Sequence, residues 1–124
     1  MEKLVLIVDD DEKVRKMLTF LFTAKGFEVV NACNGVEAME HLKDIRPSVV
    51  ILDMMMPELD GATFYNEMKA DHKLRDIPVI VLTALPASDS MRKFVSIAEE
   101  DYIEKPFKSA HVLGRVLELM SQSC

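Results

Sequence analysis

Val49-Val50-Ile51-Leu52-Asp53-Met54-Met55-Met56-Pro57 sets an unbroken apolar run directly against a carboxylate. A short continuous apolar run bounded by turn signals reads as a strand buried on both faces. Proline has no N–H to give to a sheet ladder, so this strand finishes before Pro57. Asp53 therefore stands where a buried strand emerges at the edge of its sheet, which is where open α/β sheets bind ligands. On this stretch alone, Asp53 reads as readily as a cap for the following loop or helix.

Moving outward, Leu4 to Val8 is a second apolar run, and it ends in Asp9-Asp10-Asp11. Pro78 opens a third, Val79-Ile80-Val81-Leu82, which ends at Thr83. Shorter strands are predicted at Phe27 to Val30 and around Asp101 to Glu104, the latter leading into Lys105-Pro106-Phe107. Between these runs the apolar period becomes helical. Val14, Met17, Leu18, Leu21 and Phe22 form one stripe, with Lys13, Arg15 and Lys16 off it and Gly26 as the stop. Asn34 and Glu37 have capping-box spacing ahead of Ala38, Met39, Leu42 and Ile45. Asp60-Gly61 reads as a turn before a helix that buries Phe64, Tyr65 and Met68. Pro86 and Ser88 mark a loop and a cap before Met91, Phe94, Val95 and Ala98. The last helix carries Val112, Leu113, Val116, Leu117 and Met120.

Strands alternating with amphipathic helices mean βαβ units and a parallel sheet, with helices on both of its faces. All strands of a parallel sheet end at one edge. Asp9, Asp10, Asp53, Thr83 and Lys105 thus arrive together from four different strands. Each has an ordinary explanation alone: Asp9 to Asp11 as helix caps, Thr83 as a β-branched strand residue, Lys105 as a solvated charge. Their coincidence at one edge favours a single site.

Composition narrows the function classes. The chain has 124 residues, one ordinary domain, and 49% of them are hydrophobic, enough for a sizeable core. A net charge of −6 without any basic block argues against direct nucleic-acid binding. The apolar runs are strand-sized, well short of a membrane helix, and the N-terminus lacks the pattern of a signal peptide. Cys33 and Cys124 lack metal or redox spacing and suit a reducing, cytoplasmic setting. His41, His72 and His111 share no ligand spacing and read as surface residues.

Crowded carboxylates repel unless a cation shares them. With few nitrogen or thiolate donors at hand, a hard, oxygen-loving ion is expected, and Mg²⁺ fits. The Met55 backbone carbonyl can add a ligand. Lys105 suits a phosphoryl or carboxylate oxygen, and Thr83 can donate one hydrogen bond to a phosphoryl oxygen. A carboxylate, Mg²⁺, a lysine and a hydroxyl around one point describe phosphoryl transfer onto a carboxylate.

Val8-Asp9-Asp10-Asp11, Asp53 to Gly61, Thr83-Ala84 and Lys105-Pro106-Phe107 together resemble the signature of the receiver domain of bacterial two-component response regulators. The resemblance spans essentially the whole chain, with the motifs in family order. It implies one domain over residues 1–124 with a CheY-like, flavodoxin-like fold: three layers, (βα)5, and a five-stranded parallel sheet in the order 2-1-3-4-5. It implies that Asp53 is the phosphoacceptor, becoming 4-aspartylphosphate, and that Asp9, Asp10, Asp53 and the Met55 carbonyl hold Mg²⁺. Thr83 and Lys105 would bind the incoming phosphoryl group, Ala84 would border it, and Tyr102 falls at the family's switch aromatic. The implied phosphodonor is a sensor histidine kinase or a phosphotransfer protein, docking near the loops around Asp53 with the first helix as a flank. Output passes to an unidentified downstream protein or to a second copy of the chain on phosphorylation, with no direct nucleic-acid or membrane contact.

Two departures from the family pattern stand out. Asp11 takes the place of a frequent Glu, and Ala98-Glu99 replaces the usual Gly-Ala before the fifth strand. The sequence ends soon after the last helix, so either a stand-alone regulator or a receiver from a longer protein is expected. Asp9-x-Asp11 after an apolar strand is also compatible with a haloacid-dehalogenase-type phosphatase, but Lys13 does not suit that motif and the length leaves no room for a cap domain. A receiver-like module that never takes phosphate would not need the complete acidic set.

Overall fold

The computed structural model describes residues 3–53, 60–83, 102–104 and 108–121. Its elements are β1 (Leu4–Val8), α1 (Glu12–Ala24), β2 (Glu28–Ala32), α2 (Gly35–Leu42), β3 (Val49–Asp53), α3 (Asp60–Ala70), β4 (Val79–Thr83), β5 (Tyr102–Glu104) and α4 (Ser109–Ser121). The helix expected over Met91 to Ala98, with its cap at Ser88, lies outside the described residues.

The strands form one sheet in the order β2-β1-β3-β4-β5, and every neighbouring pair is parallel. This is the flavodoxin-like, CheY-like α/β arrangement. β1 and β3 are buried along their whole length, as continuous apolar runs require. Side chains alternate across each strand. Leu6, Val8, Val50, Leu52, Val79 and Val81 join Ala38, Leu42, Phe64 and Met68 of α2 and α3 in one core. Val5, Ile7, Val49, Ile51, Ile80 and Leu82 join Leu18, Phe22, Val112 and Val116 of α1 and α4 in the other. The sheet is thus the middle of three layers. No helix among the described residues is long and apolar enough to cross a membrane.

The end of α1 follows from Gly26. Its φ of +88° is a left-handed conformation that L side chains rarely adopt. That turn lets the Gly26 N–H donate to the Thr23 carbonyl and the Phe27 N–H donate to the Phe22 carbonyl, both at 3.0 Å. Two terminal carbonyls are thereby satisfied in a Schellman motif. The Phe22 and Phe27 rings meet edge to face with centroids 5.2 Å apart, closing the turn over the core.

Some helix expectations shift. Leu18 and Phe22 are buried at the centre of the α1 stripe, but Met17 at its margin is 42% exposed. In α4, Val112 and Val116 are buried while Leu117 is 45% exposed. Each stripe is therefore narrower than its apolar residues suggest. Ile45 lies beyond the end of α2 and is half-buried. Asp60 and Gly61 open α3 instead of forming a separate turn. The first helical turn has unpaired N–H groups and favours acidic residues, so this pair suits either role.

A Cβ on Gly26 would meet nothing within 4 Å, so its constraint is the backbone conformation and not space. Gly26→Ala is expected to lower the unfolding free energy by about 1–2 kcal/mol, read from the urea midpoint. An unchanged midpoint would mean that the turn relaxes without cost.

Candidate functional site

The carboxyl edge of the sheet is built from three consecutive aspartates with different tasks. Asp9 follows β1 directly, and its N–H donates to the Ala32 carbonyl at 3.1 Å, carrying the β1–β2 pairing one step past the strand. Asp9 Oδ1 accepts from the Asp11 N–H at 2.8 Å, an Asx turn that bends the chain out of the sheet. Asp11 Oδ1 accepts from the Lys13 N–H at 2.9 Å and caps α1. Asp10, between them, is exposed.

The register of β1 and β3 sets Val8 opposite Leu52, which brings Asp9 abreast of Asp53 at the end of β3. One carboxylate oxygen from each of Asp9, Asp10 and Asp53 lies within 4.8 Å of the others. Asp9 is 1% exposed and Asp53 3%. Carboxylates this deep are costly unless paired, hydrogen-bonded or on a metal. Oxygens on opposite sides of a Mg²⁺ stand about 4 Å apart, so oxygens gathered this closely can span a single ion. The donor set is all hard oxygen, as Mg²⁺ requires. Among the described residues, no histidine or cysteine belongs to the cluster. His72 and His111 are exposed, and Cys33 is an exposed free thiol.

The other expected site residues are positioned in part. Thr83 ends β4 one residue beyond Leu82, the partner of Asp53, so its backbone reaches the same edge. Tyr102 opens β5 opposite Val81, one strand further out. Met55, Ala84 and Lys105 lie outside the described residues.

Arg15 is the residue that the sequence pattern assigns to the surface and the structure draws into the site. It is half-buried, and its Nη1 donates to the Asp9 carbonyl oxygen at 2.6 Å. The sequence signal for it is a guanidinium near the start of a helix that begins just after the acidic cluster.

Residues 5–117 match the family model of the response regulator receiver domain. The probable transcriptional regulator ycf27 of Porphyra purpurea is 35% identical over 119 residues, which is 96% of this chain and 48% of that protein. The chain thus spans about half the length of ycf27-type relatives and a smaller part of others. Among solved structures, the signal receiver domain of a signal transduction histidine kinase from Syntrophus aciditrophicus superposes with a TM-score of 0.87 at 34% identity, over 98% of this chain and 92% of that one. The receiver domain of a sensor histidine kinase from Pseudomonas aeruginosa superposes at 0.84 with 23% identity, over 98% and 99%, and holds a magnesium ion in its active-site cleft. The likeness thus extends to receivers of regulators and of kinases alike, and the chain belongs to the response regulator receiver domain family of two-component signalling.

Proposed function

We propose that residues 1–124 form one receiver domain that takes a phosphoryl group onto Asp53, in a Mg²⁺-dependent transfer from a sensor histidine kinase or a phosphotransfer protein. The observation that carries this reading is the Asp53 carboxylate, buried at a strand end with carboxylate oxygens of Asp9 and Asp10 within 4.8 Å. Asp9, Asp10, Asp53 and the Met55 carbonyl would hold the ion. Bound there, Mg²⁺ supplies the positive charge that lets an anionic carboxylate approach an anionic phosphoryl group.

A carboxylate oxygen of Asp53 attacks phosphorus. The bond from phosphorus to the donor's imidazole nitrogen breaks, its electron pair leaves with the imidazole, and an acyl phosphate remains. In this reading the Thr83 hydroxyl and the Lys105 ammonium hold the phosphoryl oxygens, with Ala84 bordering them. The domain changes state and does not turn over a free substrate, so it acts as a cytoplasmic signalling module and not as an enzyme. The donor protein docks over the loops at the carboxyl edge, with α1 as its flank. There, the exposed Phe20 lines an open groove of about 640 Å³ together with Arg15, Lys16, Thr19 and Asn31. Output goes to a downstream protein or to a second copy through the face that includes β5 and α4. A net charge of −6 disfavours direct nucleic-acid contact.

With acetyl phosphate and Mg²⁺, the intact mass should rise by one phosphate, labile to hydroxylamine, and Asp53→Asn should gain none. Equal labelling of Asp53→Asn would end the assignment. A parent chain that never labels would favour a receiver-like module without phosphate.

Removing one carboxylate relieves repulsion in the metal-free state while weakening the ion site. Asp10→Asn should bind Mg²⁺ more weakly. Without divalent ions it should be more stable by about 1 kcal/mol, a rise in Tm of about 2–6 °C for a domain of this size. Unchanged Mg²⁺ affinity in both Asp9→Asn and Asp10→Asn would remove these residues from the site.

The acyl phosphate would draw Thr83 toward it and let Tyr102 turn into the space beside β4, a population shift that needs only a few kcal/mol. Beryllofluoride with Mg²⁺, a stable mimic, should move amide NMR signals around Tyr102 in the parent and much less in Thr83→Ala. Identical shifts in both would mean that Thr83 does not carry the signal.

A further inference from the structure

We propose that Arg15 is a positioning residue of the acidic site, holding the peptide between Asp9 and Asp10 so that the Asp10 carboxylate converges on Asp9 and Asp53. The inference rests on the Mg²⁺ reading given above and adds a residue to it.

Asp9 is 1% exposed, tied at its N–H to Ala32 and at its carboxylate to the Asp11 N–H. Asp53 is 3% exposed and fixed in β3. Asp10 is exposed, so packing does not fix its side chain. Its direction is set by the backbone from which it leaves. The Asp9 carbonyl and the Asp10 N–H share one rigid peptide plane. The Arg15 guanidinium grips the carbonyl of that plane at 2.6 Å, a short charge-assisted bond. Arg15 is itself held by α1, which Leu18 and Phe22 anchor in the core. The orientation of the helix is thereby passed to the peptide that launches Asp10. Asp11, the N-cap of α1, holds the far side of Asp10 in the same frame.

Charge and position predict opposite signs. A cation beside a Mg²⁺ site opposes the ion, so on charge alone removing Arg15 tightens Mg²⁺ binding. If Arg15 positions Asp10, its removal weakens binding. The test is Mg²⁺ titration by calorimetry on the full chain: parent, Arg15→Met, Arg15→Lys, Asp10→Asn and the Arg15→Met/Asp10→Asn pair. Residues that orient metal ligands typically change affinity by about 10–100-fold, and a loss in the lower part of that range is expected for Arg15→Met. Arg15→Lys, which keeps a donor without the planar fork, should fall between it and the parent. Once Asp10 has lost its charge, Arg15→Met should change affinity little, because the two residues act through one another.

Arg15→Met binding as tightly as the parent, or more tightly, overturns the proposal, as do losses that add independently in the pair. If Arg15→Met fails to fold, Arg15→Lys decides, and parental affinity there overturns it. A parent chain without Mg²⁺ affinity overturns the metal-site reading itself and this inference with it. Parental Mg²⁺ binding that is insensitive to Arg15 overturns the inference alone.

Discussion

Asp9 and Asp53 are carboxylates withdrawn from water at the end of two strands that are otherwise wholly apolar. An ionised carboxylate removed from water costs several kcal/mol unless partners replace its hydration. The surrounding structure accommodates that constraint. Parallel pairing gathers the strand ends at one edge, so groups from β1 and β3 lie abreast without any long-range search. The Asp11 N–H in the turn after β1 supplies a donor, reaching Asp9 Oδ1 at 2.8 Å. Two apolar cores, one on each face of the sheet, provide the stability that lets such a cluster persist.

The division of tasks within Asp9-Asp10-Asp11 follows from where β1 stops and α1 starts. With Asp11 as the N-cap, α1 begins at Glu12, leaving Asp9 and Asp10 as the only residues between strand and cap. A longer connection would let the Asp9 and Asp10 carboxylates move away from Asp53. Asp11 therefore serves the site without joining the carboxylate cluster: it fixes the length and direction of the turn. The replacement of a Glu by Asp11 is consistent with this role, since the shorter side chain is the better N-cap.

The legible parts of the fold are those with strong local signals. β1, β3 and β4 are continuous apolar runs, and their ends mark the site edge. α1 is bounded by an aspartate and a glycine whose reasons are visible in the sequence. β2 runs over Glu28–Ala32 and not Phe27 to Val30, because this strand at the edge of the sheet mixes exposed Glu28 and half-buried Asn31 with its apolar residues and so blurs the pattern. Asn31 has a specific partner that no periodicity reveals, a hydrogen bond from its Nδ2 to Thr19 Oγ1 on α1 at 3.1 Å. The role of Arg15 is hidden from the sequence for a related reason. Its contact is to a main-chain carbonyl, and main-chain acceptors carry no sequence signature. Helical position predicts which face a residue occupies, not which backbone group a long side chain can reach. The Asp60-Gly61 pair shows the limit in another form, since turns and helix starts share the same chemistry.

In the proposed function, the same constraint links the site to the rest of the sheet. Mutual repulsion makes the carboxylate cluster unfavourable without a cation, so ion binding and fold stability are coupled by mass action. Asp53 pairs in register with Leu82, Thr83 with Glu104, and Val81 with Tyr102. A change of charge at Asp53 thus sits two ladders from β5, in elements whose cores are close-packed and shift between discrete arrangements rather than deforming smoothly. Being buried makes Asp53 expensive to keep charged, and it also ties its chemical state to the packing around it. An exposed aspartate at the same edge would be free to take a phosphoryl group, but water would screen the new charge and little of it would reach β5.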